Sequence, residues 1–153
     1  MPVTVGVNFL SVVHKGSNGV TIAFPDVCKT PSPGGPIPIP YPNIAKSSDT
    51  AKGTKKVKCD GQSTCVKDSN FSTSTGDEAG SAGGGVVSSK ITGKAEFVNF
   101  SFDVKFEGKN VTRAFDLMLH NVKNTPSTPV LQGPVVAIPG DETPECLICS
   151  KKL

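Results

Sequence analysis

The hydrophobic positions of this chain come in short alternating runs. Val3, Val5 and Val7 alternate with Thr4 and Gly6 and lead through Val13 into His14-Lys15-Gly16-Ser17-Asn18-Gly19, the pattern of a strand running into a turn. Val20 to Phe24 reads as a second short strand, closed by Pro25 and Asp26. Further along, Val57-Lys58-Cys59-Asp60-Gly61 and Val104-Lys105-Phe106-Glu107-Gly108 repeat one pattern, Val-Lys-x-acid-Gly. In each copy an extended run meets an acid-Gly pair, which suits a hairpin turn because Gly takes positive φ without steric cost. Lys109 to Arg113 continues the second copy as a returning strand. Two related hairpins around one small core are predicted.

Two segments break this rhythm. Pro31 to Pro42 carries prolines at 31, 33, 36, 38, 40 and 42. Each fixes φ, lacks an N–H and holds its predecessor extended, so the segment is expected to run as a polyproline-like ribbon outside any central ladder. Ile37, Ile39 and Tyr41 project from it, and their apolar character favours packing on a surface over a flexible linker. Phe71 to Gly85 is rich in small residues, which serve either as a mobile loop or as a place where backbones approach closely; the sequence leaves both open.

Composition supports the β reading. Val, Ile and Thr number 38 against 16 for Ala, Leu and Met, and Gly and Pro contribute 16 and 13 of 153 residues. An all-β fold of short hairpins with little or no helix follows, organised as one β domain over 1–125 and an extended Pro-rich tail over 126–153. A net charge of +3 with scattered Lys does not make a nucleic-acid footprint, so no nucleic-acid partner is expected. Nothing approaches the length of a membrane span, and the first ten residues lack the features of a signal peptide.

The chemistry-bearing residues are few. Five Cys at 28, 59, 65, 146 and 149 do not form a secreted disulfide pattern, and Cys146-Leu147-Ile148-Cys149 is a single CxxC without the second pair a zinc ribbon needs. The Gly-rich stretch has no phosphate-binding fingerprint. Asp77 and Glu78 are adjacent, so on an extended chain they point to opposite faces and do not flank one substrate atom. A Cys-His hydrolase would need a deep rigid pocket that a small Gly- and Pro-rich body does not offer. The sequence is therefore expected not to be an enzyme.

Phe24-Pro25-Asp26-Val27-Cys28, the run Pro36 to Ala45, and Ser74-Thr75-Gly76-Asp77-Glu78-Ala79-Gly80 resemble the PAAR-like (Tox-PAAR-like) family of bacterial contractile injection machines, over about residues 1–125. The resemblance implies a small conical fold of β-hairpins. It implies a structural tip that caps and sharpens the trimeric VgrG spike of the type VI secretion system, one tip per trimer, and helps attach a toxin effector. An effector adaptor whose main partner is a separate toxin is the alternative. It implies a protein assembled in the bacterial cytoplasm and then secreted into a target cell or the medium, with Ile37, Ile39 and Tyr41 at or bracing the docking surface. In the family one zinc ion near the apex is held by three His and one Cys. Here His14, Cys28 and His120 are the matching candidates, with water, a carboxylate such as Asp116 or another Cys as the fourth ligand.

Overall fold

A computed structural model of the chain describes residues 3–133; the Cys146/Cys149 pair lies outside them. The described strands are β1 (Gly6–Val7), β2 (Leu10–Ser11), β3 (Val20–Thr30), β4 (Ile37–Lys46), β5 (Thr50–Ala51), β6 (Lys58–Cys59), β7 (Gln62–Ser63), β8 (Asn70–Phe71), β9 (Gly84–Gly85), β10 (Ala95–Phe97), β11 (Lys105–Phe106), β12 (Lys109–Asn110), β13 (Met118–His120) and β14 (Thr125–Pro126). Among the described residues there is no α-helix, only a 3-10 turn at Ser47–Asp49. The all-β expectation holds.

The two predicted hairpins are β6-β7 and β11-β12, and β1-β2 is a third of the same build. Each closes on two residues with positive φ: Asn8-Phe9 (51° and 66°), Asp60-Gly61 (51° and 74°) and Glu107-Gly108 (53° and 79°). That is the geometry of a type I′ turn, whose twist matches the flanking strands. The three units close into a ring through cyclic backbone bonds. Val13 N–H donates to Thr112 O, Thr112 N–H to Cys65 O, and Cys65 N–H to Val13 O, at 3.2, 3.2 and 2.9 Å. A second cycle, Lys15 to Ser63, Lys67 to Asn110 and Ala114 to Ser11, surrounds the first.

The turns interlock in the same sense. Asn8 donates to Asp103, Asp60 accepts from Thr4, and Glu107 accepts from Lys55 and Lys56, so every turn grips the segment that leads into a neighbouring hairpin. Val7, Val12, Cys59, Val66 and Val111 fill the space inside the ring, with Val5, Val104 and Phe106 packed against them. The chain thus has an internal pseudo-threefold arrangement.

It is imperfect at one position. His14 and Arg113 occupy corresponding places and reach the turn residues Asp60 and Asn8. Val66 stands in the third place and is too short to reach Glu107, which leaves a cleft of about 320 Å³ lined by Val66, Glu107, Lys52, Lys55 and Lys109.

Above the ring lie two sheets, one ordered β14-β13-β10-β8-β5 and one ordered β4-β3-β9. Val13, Ala45, Cys65, Phe71, Ala95, Met118 and Val130 form a second core between them and the ring, and Phe71 meets Phe97 edge-on with centroids 5.6 Å apart. The proline segment differs from its expected form: it is strand β4, paired with β3 from Val20↔Lys46 to Thr30↔Ile37 with a shift between Ala23 and Asp26. Because β4 is an edge strand and Pro38, Pro40 and Pro42 fall at every second residue, the missing N–H groups share one side of the strand. The ordered body also continues past residue 125. Leu131 and Val20 exchange backbone bonds of 2.9 Å, and Thr128 N–H donates to Ile22 O at 2.7 Å.

The small-residue segment is a place of close backbone approach. Gly84 and Gly85 pair with Lys29 and Cys28. A Cβ on Gly76, whose φ is +132°, would lie 2.0 Å from Pro42 O, and one on Gly80 would lie 2.3 Å from Cys28 Cβ.

Candidate functional site

β3 and the 72–83 segment meet at a buried polar cluster. Asp26 and Cys28 lie two residues apart on β3, and Asp77 comes from the turn that Gly76 and Gly80 allow to approach. One ligand atom from each lies within 4.8 Å of the others, and all three residues are buried. The Cys28 thiol faces Asp77 Oδ2 at 3.8 Å and the Asn121 amide at the same distance.

Two asparagines hold the Asp26 carboxylate in place, and a backbone N–H holds that of Asp77. Asn43 Nδ2 donates to Asp26 Oδ2 at 3.0 Å and to Ser74 Oγ at 2.9 Å, while Asn124 Nδ2 donates to Asp26 Oδ1. The Thr92 N–H donates to Asp77 Oδ1 at 2.9 Å. Asn121 and Asn124 are themselves fixed by backbone: Asn121 donates to Lys90 O and accepts from Gly93 N–H, and Asn124 accepts from Val87 and Ser88 N–H.

Three acidic groups packed this closely cannot all be ionised without a cation. Burial, and then Asp26 and Asp77, push the Cys28 thiol up to about 12. Burial also raises Asp77 to about 6. Without metal the Cys28 thiol therefore keeps its proton at neutral pH, and Asp77 binds one more readily than a free carboxylate. A divalent ion would displace these protons and turn mutual repulsion into coordination. One thiolate and two carboxylates form a donor set suited to zinc, and the buried site, with two asparagines gripping Asp26 and a backbone N–H holding Asp77, has the character of a structural centre. The residues fit the ion, and the expected single metal site is supported at this place.

The structure distributes the expected ligands differently from the resemblance. Cys28 is in the cluster, with Asp26 and Asp77 as its companions rather than two histidines. His14 belongs to the ring: its Nδ1 accepts from Gly16 N–H at 3.1 Å, which leaves Nε2–H to donate to Asp60 Oδ2 at 3.1 Å. His120 lies on β13, opposite Thr125, whose hydroxyl donates to Pro25 O beside Asp26. Its Nε2 meets Thr21 Oγ1 at 3.3 Å, its Nδ1 has no partner among the described residues, and burial lowers its pKa to about 4 against the opposing pull of Asp26. Asp116, offered as a fourth ligand, is bound by Arg113.

Asp26 was missed because it reads as a turn residue after Phe24-Pro25, and Asp77 because it sits in a small-residue run. Their only sequence signal was membership in the two motifs that carry the family resemblance. Of the expected docking residues, Ile37 is exposed while Ile39 and Tyr41 are half-buried, and the Tyr41 hydroxyl is hydrogen-bonded to Thr30 Oγ1 at 2.6 Å.

The family model for the toxin PAAR-like domain, Tox-PAAR-like, matches residues 19–127. The chain belongs to this family. It is 46% identical over 131 residues to the DNase toxin Tse7 of Pseudomonas aeruginosa, a match covering 80% of this chain and 34% of that toxin. The chain thus spans about a third of the length of this relative. No solved structure matches it. The kinship overturns two expectations from the sequence, that of a purely structural tip or adaptor and that of a protein with no enzymatic role. Charge balance and the scarcity of catalytic constellations gave no warning of this. Among the described residues no helix is long and apolar enough to cross a membrane.

Proposed function

We propose that this chain serves as part of a toxin that cleaves DNA, and that its PAAR-like domain joins the toxin to the spike of a type VI injection machine. The observation that carries the reading is the 46% identity to a DNase toxin, extending over most of this chain. DNA accordingly replaces the expectation of no nucleic-acid partner. The Asp26-Cys28-Asp77 cluster is closed by burial, which favours a structural ion over one that must meet a phosphodiester. No described residue is assigned to the cleavage step.

The pseudo-threefold ring supports the partner reading. A single chain with three interlocked hairpins can present similar contacts to three identical subunits, which suits a VgrG trimer carrying one copy. The function is tested in bacterial competition, with the DNA of target cells followed by staining and gel analysis. Target DNA should fragment when the attacker makes this chain and stay intact when its gene is deleted. Equal fragmentation with and without the chain would refute the reading. The partner is tested separately by capture on an immobilised VgrG trimer and the molar ratio in the complex.

A further inference from the structure

Phe9 is out of place by every local criterion. It holds a left-handed position, φ +66°, where the sister turns have Gly61 and Gly108. A phenylalanine there is strained, and strain of this kind persists where something else requires the residue. Burial is not the reason, because Phe9 is 86% exposed.

Phe102 is 93% exposed and belongs to the adjoining turn. Asn8 binds the two turns together: it donates to Asp103 Oδ1 at 3.0 Å and accepts from the Ser101 hydroxyl at 2.6 Å. Arg113 Nη1 donates to the same Asn8 oxygen at 3.0 Å. Two bare phenyl groups therefore stand on abutting turns tied together by a hydrogen-bond network at the surface, in which only Ser101 is buried. Rigid aromatic side chains on a fixed base are the usual anchors of protein interfaces.

We infer that Phe9 and Phe102 form an aromatic anchor that inserts into an apolar pocket of the threefold protein partner, engaging one of its three subunits. This rests on the spike reading above. The three interlocked turns of the ring, matched to three identical subunits, decide for that partner over a second copy of this chain. The two side chains offer on the order of 350 Å², well short of the roughly 800 Å² per partner of a stable interface. The pair must form part of a larger surface, and the interlocked ring of turns to which Asn8 belongs supplies it. Since the sister turns carry glycine, the anchor is made once per chain and so engages one subunit of the trimer.

The test is the double variant Phe9→Gly/Phe102→Ser beside the parent chain, each titrated onto an immobilised VgrG trimer from the producing bacterium. Gly at position 9 relieves the strained φ, so thermal stability should be unchanged or higher while the dissociation constant rises tenfold or more. Unchanged affinity of a well-folded variant would overturn the anchor and leave the spike reading standing. Failure of the parent chain to bind would sink both. Sedimentation of the parent should show a monomer; a dimer that the double variant abolishes would assign the phenyl pair to self-association and overturn the proposal.

Discussion

Acidification of the metal-free protein gives the sharpest test of the buried polar site. His120 is fully buried, and burial lowers its imidazole from 6.5 to about 4. Between those values the unfolded chain takes up a proton that the folded chain refuses, so this group contributes a stability that rises with pH. Its slope is about 1.4 kcal/mol per pH unit, reaching about 3 kcal/mol across the window if the shift is fully expressed. Asp77 acts in the opposite direction. Raised from 3.8 to about 6, it keeps its proton in the folded state, so its contribution falls as pH rises through the same range. Asp116, also raised by burial, acts with it. The parent protein should therefore show a shallow pH dependence between 4 and 6. Replacing Asp77→Asn removes the main opposing titration, and stability should then fall steeply on acidification. Adding His120→Gln should flatten it again. The assay is urea unfolding in chelator at half-unit pH intervals, and the informative quantity is the difference between the Asp77→Asn and Asp77→Asn/His120→Gln curves, in which other groups cancel. Parallel curves would show that His120 does not titrate as its burial requires.

Two further outcomes follow from the same geometry. Protein purified without added metal should carry about one zinc per chain by elemental analysis and melt at a lower temperature after chelation; Cys28→Ser should empty the site, whereas His14→Asn should leave the metal count per folded chain unchanged, and loss of metal in the His14 variant would return that residue to the ligand set. Gly76→Ala places a Cβ 2.0 Å from Pro42 O at φ +132° and should cost more than about 2 kcal/mol in urea unfolding, while Gly108→Ala, at φ +79° with open space around it, should cost only about 1 kcal/mol; equal losses would remove the close approach as the reason for Gly76.

The sequence by itself determined the local choices. An excess of β-branched residues, together with acid-Gly pairs after Val-Lys-x runs, specified hairpins at 57–63 and 104–110, because strand preference and turn chemistry act over neighbouring residues. The same rule hid the first hairpin, since Asn8-Phe9 lacks the glycine that marks its sisters. Alternating prolines determined that residues 36–42 would be extended, but whether they ran free or along an edge depended on β3 offering a partner. The glycines from 76 to 85 were ambiguous for a similar reason: close approach is a property of two segments, and Pro42, Cys28 and Asn124 are distant in sequence. Tertiary structure alone assembled the metal-capable cluster. Cys28 was singled out by the family resemblance, whereas Asp26 and Asp77 became its companions only when the 72–83 segment closed over β3 and burial raised the proton affinity of Cys28 and Asp77.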